Sequence, residues 1–172
     1  MESISFCVTG HRPNKLFGYD IHSSKYNGIR YNLKLAVYRI LKEHAVKNVT
    51  VYSGMALGVD QIFVEAMIDA RNYYRKHGVN FKIVAAIPCK GQESKWTQQS
   101  QQFYDYLLQQ CDEKVVVSKN VPYSAKLMQI RNEYMVDRSD YILAVWDGSP
   151  SGTANCVNYA VSQHKNVVRI TY

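Results

Sequence analysis

One stretch of the chain, residues 49–70, constrains the fold more than any other. It reads VTVYSGMALGVDQIFVEAMIDA. Its first four residues are β-branched or aromatic, which is typical of a buried strand in a parallel sheet. From Val59 to Ala70, apolar residues recur at a spacing of three and four, which predicts one apolar face on a helix. The stretch therefore predicts a strand, a turn and a helix in succession.

The turn in this stretch is a candidate anion site. Gly54 and Gly58 punctuate it, and such a turn directs backbone N–H groups into space beside the positive end of the helix dipole, where a phosphate is stabilised. The alternative is a tight turn with close packing of helix on strand, and the two interpretations fit each glycine about equally. Asp60 suits either a ribose hydroxyl or, more often, the first turn of a helix.

Strand-like and helical segments alternate along the rest of the chain. Strands are expected at residues 3–9, 49–52, 81–87, 114–118, 141–146 and 167–170. Helices are expected at about residues 29–45, 59–77, 103–108, 124–138 and 154–164. This alternation predicts a three-layer α/β fold, with a mostly parallel sheet of about six strands and helices on both faces. The length of 172 residues fits one domain, 1–172.

The segment between the first strand and the first helix, residues 10–28, shows neither helical nor strand period. A loop of this length in a compact domain is usually functional or mobile. We therefore expect it to act as a lid.

Several classes of protein are excluded by what the chain does not contain. No apolar run reaches the roughly 20 residues of a membrane span, and the N-terminus lacks the pattern of a signal peptide, so we expect a cytoplasmic protein without a membrane partner. The four cysteines show neither CxxC spacing nor a matching histidine pair, so neither a metal site nor a disulfide is expected. No cofactor is expected beyond a nucleotide-like ligand.

The net charge of +7 is compatible with a nucleic-acid partner, because Lys and Arg attract phosphate backbones. However, the 21 basic residues are spread along the whole chain, so such a partner is possible but not favoured. The 14 tyrosines are either stacking platforms for bases or, more often at helix positions, half-buried amphipathic rings.

Candidate site residues lie mainly at the predicted strand ends. In a parallel sheet, ligands bind beyond the carboxyl ends of the strands, where the strand order reverses. Two glycine loops there could jointly hold a nucleotide-like ligand. The candidates are Gly10, His11, Arg12, Ser53, Gly54, Met55, Gly58, Asp60, Pro88, Trp96, Arg131, Asn132, Asp147, Gly148, Gly152 and Thr153.

Some candidates have a specific chemical interpretation. Arg12 offers a bidentate fork to a phosphate, and His11 can titrate near neutrality. Arg131 either reaches the cleft or pairs with an acid of its own helix on the surface. Thr153 caps the last helix, contacts a phosphate, or does both, and Trp96 could stack on a base. Neither glycine loop matches GxGxxG or GxxxxGK[ST], and no catalytic set is recognisable.

Five motifs in order carry a resemblance over essentially the whole chain. They are GHRPNKL at 10–16, SGMALGVDQ at 53–61, AIPCKGQESKW at 86–96, RNEYMVDRSD at 131–140 and WDGSPSGTANCVNYA at 146–160. Together they resemble the YpsA family of the SLOG superfamily, Rossmann-like proteins related to the DNA-processing protein DprA and to the LOG phosphoribohydrolases.

The resemblance implies a cytosolic Rossmann-like domain that binds a nucleotide-derived ligand, such as ADP-ribose or NAD, between the two glycine loops, and a homodimer is plausible for this fold. LOG enzymes carry a catalytic glutamate three residues after the threonine of their PGGxGT motif, where this chain has Cys156. We therefore expect a sensor or sequestering protein without fast catalysis. The alternatives are a nucleotide N-glycosidic hydrolase using Asp60, Asp147 or His11, and a module that binds single-stranded nucleic acid.

Overall fold

A computed structural model describes residues 2–172. Its centre is a six-stranded sheet in the order β4-β3-β2-β1-β5-β6, in which every neighbouring pair is parallel. The strands are β1 (Ser3–Gly10), β2 (Asn48–Ser53), β3 (Asn80–Ile87), β4 (Glu113–Val116), β5 (Tyr141–Val145) and β6 (Asn166–Ile170). The number of strands and their direction confirm the sequence prediction.

Five helices connect the strands. They are α1 (Asn27–Lys42), α2 (Val59–Lys76), α3 (Gln98–Gln110), α4 (Ala125–Asp137) and α5 (Gly152–Ser162). Their positions agree with the predicted helices, with ends that differ by a few residues. None of the helices within residues 2–172 is long and apolar enough to cross a membrane.

Two apolar cores, one on each face of the sheet, produce the three layers. Successive residues of β1 point to opposite faces, so Phe6 and Val8 join the larger core while Cys7 joins the smaller one. The larger core includes the apolar faces of α1 and α2, with Leu33 and Phe63 fully buried. The smaller core lies under α4 and α5. The prediction that helices cover both faces of the sheet is thereby confirmed.

The segment expected to lack regular structure is anchored to the larger core. It contains two short 3-10 turns, Pro13–Lys15 and Ser24–Tyr26. Ile21 and Tyr26 are buried in that core, and the Tyr26 hydroxyl donates a hydrogen bond to the Gly18 carbonyl. Movement of this segment as a lid stays a prediction.

The strand order creates a crevice at the carboxyl ends of β1 and β5. The chain runs outward from β1 through β2 and β3 to β4, and then returns to the other side of β1 as β5. The connection after β1 leads to β2 on one side of the sheet, and the connection after β5 leads to β6 on the other side. This divergence opens a crevice between the ends of β1 and β5, which is the usual ligand position in such sheets. Gly10, the last residue of β1, pairs with Val145 of β5.

Asp112, just before β4, is the centre of an ion-pair network with Arg71 and Arg75. Its Oδ2 accepts hydrogen bonds from the Ile83 N–H at 2.8 Å and from Arg71 Nη1 at 2.8 Å, and its Oδ1 accepts one from Arg75 Nη2 at 2.7 Å. Burial alone would raise the pKa of Asp112, but the Ile83 N–H and the two guanidinium groups outweigh it and lower that pKa. The carboxylate is therefore stabilised in its charged form.

We expect Asp112→Ala to lower the free energy of unfolding by about 3 kcal/mol, because it leaves the buried Arg71 charge unpaired. Urea unfolding measures this change. The contribution of Asp112 to the free energy of unfolding is fully present above about pH 4. It is lost as the pH falls through the lowered pKa of Asp112 in the folded protein. The matched control is Glu113→Ala, which removes an exposed pair with Lys82 and is expected to cost less than about 1 kcal/mol. Equal losses in both variants would contradict the prediction.

Candidate nucleotide-binding cleft

A cleft of about 290 Å³ lies at the crevice between β1 and β5. Its walls are the end of β1 with the segment that follows it, the start of α2, the middle of α4 and the start of α5. The lining residues are Val8, Thr9, Gly10, His11, Arg12, Asn14, Lys15, Ala56, Leu57, Asp60, Met128, Arg131, Asn132, Ser151, Gly152 and Thr153. The cleft thus lies where the sheet topology favours a ligand.

The β2–α2 turn holds Asp60, a residue of the cleft lining, through hydrogen bonds within the turn. The Ser53 hydroxyl donates to the Asp60 carbonyl at 2.8 Å and accepts from the Met55 N–H at 3.2 Å. The Ala56 N–H donates to Asp60 Oδ2 at 3.1 Å. The N–H groups of Met55 and Ala56, which the sequence predicted to face empty space, are therefore occupied by side chains of the turn itself.

Glycine has two distinct roles beside α2. Gly58 has a φ of 93° and precedes the helix without any side-chain cap, so the first N–H groups of α2 receive no acceptor from a capping side chain. A Cβ at Gly10 would lie 2.7 Å from the Cβ of Val59. Gly10 is therefore the glycine that permits close packing of helix on strand, a role that the sequence offered as one of two interpretations for Gly54 and Gly58.

Arg131 of α4 is the most unusual charge in the cleft, because only 3% of its surface is exposed. Nη1 donates to the Gly54 carbonyl at 2.6 Å, and Nε donates to Asn132 Oδ1 at 3.0 Å. No carboxylate within residues 2–172 lies within 4.0 Å of the guanidinium as a salt-bridge partner. Burial lowers the pKa of Arg131, and the charge of Asp60 partly opposes this shift. The alternative of a surface ion pair is wrong.

His11 and Asp147 connect the segments that follow β1 and β5. His11 is 2% exposed, and its Nε2 lies 2.9 Å from Asp147 Oδ1, which also accepts from the Ser149 N–H at 2.8 Å. The hydrogen bonds from Ser149, followed by that from His11, hold the pKa of Asp147 below its usual range. His11 lines the cleft but Asp147 does not, so the carboxylate orients the imidazole from outside.

The start of α5 forms the opposite wall. Ser151 caps this helix, since its Oγ accepts from the Ala154 N–H at 3.1 Å, and the capping role suggested for Thr153 is therefore filled by Ser151. Thr153 is 5% exposed and lines the cleft. A Cβ at Gly152 would meet no atom within 4 Å, so the cleft is open at this position.

A second depression adjoins the cleft and contains five aromatic rings, of which only Trp96 was a candidate from the sequence. It has a volume of about 1330 Å³ and shares Arg12, Asn14 and Leu57 with the cleft. We call it the aromatic groove and define it by its rings. These are Tyr19, Trp96, Phe103, Tyr106 and Tyr123.

The structure brings together part of the predicted site. The candidates that line the cleft are Gly10, His11, Arg12, Asp60, Arg131, Asn132, Gly152 and Thr153. Gly58 and Trp96 line the aromatic groove instead. The candidates that line neither are Ser53, Gly54, Met55, Pro88, Asp147 and Gly148. Gly54 and Asp147 hold residues that line the cleft, whereas no described contact connects Pro88 with it.

Several lining residues were missed by sequence reasoning. Asn14 and Lys15 belong to the GHRPNKL motif and could have been found from it. Met128 lies one helical turn before Arg131, so it shares that face of α4. Ser151 shows the serine typical of an N-cap. Leu57 carries no chemical signal, and only the structure identifies it.

Comparison with known proteins places the chain among SLOG proteins. The YpsA model, which describes the YspA SLOG family, matches residues 6–171. The SPbeta prophage-derived protein YoqJ of Bacillus subtilis (strain 168) is 37% identical over 131 residues, which cover 70% of this chain and 72% of YoqJ. A UPF0398 protein of Bacillus cereus (strain B4264) is 25% identical over 148 residues, covering 85% of this chain and 76% of that protein.

Two solved structures of DprA share the fold. DprA from Streptococcus pneumoniae superposes with a TM-score of 0.59 at 15% identity, covering 96% of this chain and 50% of that chain. DprA from Helicobacter pylori, whose structure describes a single-stranded DNA binding mode, gives a TM-score of 0.60 at 15% identity. That match covers 96% of this chain and 64% of the Helicobacter pylori chain. The chain thus spans half to two thirds of these DprA chains. Because the family model extends from β1 to β6, the protein belongs to the YpsA family of SLOG proteins.

Proposed function

We propose that the protein binds a phosphate-bearing nucleotide or nucleotide-derived ligand, such as ADP-ribose or NAD, in the cleft between β1 and β5. Its role is to sense or sequester this ligand without fast catalysis. The observation that carries the proposal is Arg131, a guanidinium that is buried, lines the cleft and, among residues 2–172, bonds neutral acceptors only.

A buried cation without a contacting anion is costly, because desolvation is only partly offset by neutral hydrogen-bond acceptors. A phosphate in the cleft would supply the missing charge, and the planar fork of an arginine suits phosphate oxygens. Arg12 and Lys15 add two further cations to the lining. The starts of α2 and α5 add the positive ends of two helix dipoles.

The acidic and nucleophilic groups near the cleft favour binding over N-glycosidic hydrolysis. Asp60 is the acidic residue of the lining, and its Oδ2 already accepts a hydrogen bond from the Ala56 N–H. Cys156, at the position of the LOG glutamate, is fully buried, and burial raises its pKa to about 11. Such a thiol stays protonated near neutral pH and does not replace a catalytic carboxylate.

The test is calorimetric titration of the folded protein with AMP, ADP-ribose, NAD and inorganic phosphate. We expect at least one nucleotide to bind with a submillimolar dissociation constant and more tightly than phosphate alone. Failure of all of them to bind below the millimolar range would overturn the proposal. Chromatography of the same mixtures after incubation tests catalysis, and release of free base would replace the binding role with a hydrolase.

A side chain at Gly152 provides a further prediction about the cleft. The space beside Gly152 is open, so Gly152→Val is expected to fold normally and to narrow the approach of a phosphate to the start of α5. We expect the affinity for the bound nucleotide to fall by about tenfold or more, which corresponds to 1.4 kcal/mol. Gly152→Ala should have a smaller effect, and thermal unfolding checks both variants. Unchanged affinity in Gly152→Val would remove the start of α5 from the site.

A further inference from the structure

Two rings of the aromatic groove, Trp96 and Phe103, pack against the larger core, whereas the other three belong to neither core. Tyr19, Tyr106 and Tyr123 are 68%, 51% and 58% exposed, respectively, although they line a concave surface. Phe103 and Tyr106 lie nearly parallel on α3, with centroids 6.0 Å apart and an angle of 30° between their planes. Trp96 is fixed at the edge of the groove by its contact with Tyr104. The groove therefore presents several positioned flat surfaces to solvent.

The groove is continuous with the cleft. Arg12, Asn14 and Leu57 line both, so a ligand anchored in the cleft reaches the groove directly. The cleft volume of about 290 Å³ lies at the lower limit of pockets for drug-sized ligands, roughly 300–1,000 Å³. This volume suits a phosphate and a sugar, and the adjoining groove gives the remainder of a nucleotide room to extend.

The charges around the groove suit a polyanion. Arg12 and Lys95 line it, with Asp20 as the acidic residue, and the whole chain carries a net charge of +7. Aromatic rings combined with cations are the features by which proteins bind successive bases without sequence preference. The rings come from three different segments, and the groove has several times the volume of the cleft, so it offers surfaces for more than one base.

We infer that the aromatic groove stacks nucleobases, so that the ligand of the cleft carries two or more bases joined through phosphates. This inference rests on the proposed function, because the phosphate bound near Arg131 anchors the ligand. Two sources share this chemistry, a pyrophosphate-linked dinucleotide and a single strand of nucleic acid. The shared feature is at least one base stacked beyond the sugar phosphate of the cleft.

The experiment compares four probes by calorimetry. These are ribose 5-phosphate, 5′-phosphorylated thymidine dinucleotide, 5′-phosphorylated thymidine hexanucleotide and NAD. We expect the three base-containing probes to bind at least about fivefold more tightly than ribose 5-phosphate, since one stacked base contributes roughly 1–3 kcal/mol. An affinity that rises from dinucleotide to hexanucleotide and falls with salt identifies a single strand. Tighter binding of NAD than of the hexanucleotide identifies a dinucleotide.

Variants separate the groove from the cleft. Tyr106→Ala and Tyr123→Ala are each expected to weaken binding of the preferred base-containing probe by about fivefold or more and to leave ribose 5-phosphate binding unchanged. Tyr31→Ala is the matched control, because Tyr31 is 65% exposed and lies outside both cavities. Equal affinity for all four probes, or unchanged affinity in both groove variants, would overturn the inference. Neither result affects the proposed function, which the titration with AMP, ADP-ribose, NAD and inorganic phosphate tests separately.

Discussion

Arg131→Met is expected to abolish nucleotide binding, with the affinity falling by about a hundredfold or more. Truncation of one partner of a buried, hydrogen-bonded charge pair costs about 2–5 kcal/mol, and methionine keeps the apolar stem while it removes the charge. The Gly54 carbonyl retains a hydrogen bond from Gln92 Nε2 at 3.2 Å in this variant, so we expect the protein to stay folded. Calorimetric titration measures the loss, and thermal unfolding confirms the fold.

The matched control for this prediction is Arg138→Met. Arg138 follows the end of α4 and lies over the ring of Tyr134, 3.6 Å from its centroid, outside both the cleft and the groove. We expect its replacement to leave the affinity unchanged. Arg131→Lys should bind with intermediate affinity, because lysine keeps the charge but loses the fork. Wild-type affinity in Arg131→Met would contradict the proposed function.

Gly54→Ala is expected to lower the free energy of unfolding by about 2 kcal/mol, in the range of overpacked cores, and to abolish nucleotide binding. A Cβ at Gly54 would overlap Nη1 of Arg131, so the variant must displace the guanidinium from the cleft wall. The sequence left two interpretations of Gly54 open, the approach of a phosphate and a tight packed turn, whereas in the structure Gly54 leaves the space that Arg131 occupies. Urea unfolding measures the loss of stability, and calorimetry measures the loss of nucleotide binding.

A double-mutant cycle tests this mechanism. If the cost of Gly54→Ala arises from Arg131, the same substitution in an Arg131→Met background should be less destabilising by about 1 kcal/mol or more. Gly28→Ala is the control for replacement of a glycine, because its added Cβ meets no atom within 4 Å. Since Gly28 is in a helix, that variant is expected to be more stable by up to about 1 kcal/mol. Strict additivity of the Gly54 and Arg131 substitutions would exclude the mechanism.

The sequence was sufficient for the fold because the relevant signals are local. Residues 49–70 contain the period of a strand and then that of a helix, and regular alternation of such segments restricts the topology to a parallel sheet. The strand ends then identified part of the cleft lining, such as Arg12 and Thr153. These predictions required no knowledge of which strands are neighbours.

The parts of the site that the sequence did not reveal depend on distant contacts. Arg131 and Gly54 are separated by 77 positions, and only the packing of α4 against the sheet shows that they meet. The contacts inside the β2–α2 turn are local, but Ser53 and Asp60 could equally have faced solvent. The aromatic groove collects Tyr19, Phe103 and Tyr123 from three separate segments, and exposed rings leave no periodic pattern.

The close contact between Gly10 and Val59 affects how much free energy is needed to order the site when a ligand binds. With no side chain between them, the start of α2 is held directly against β1, one of the two middle strands of the sheet. The dipole of α2 is therefore oriented before any ligand arrives, and little conformational entropy remains to be lost at this wall on binding. Preorganisation of this kind favours association without a preceding rearrangement, so the lifetime of the complex, rather than its rate of formation, should distinguish good ligands from poor ones.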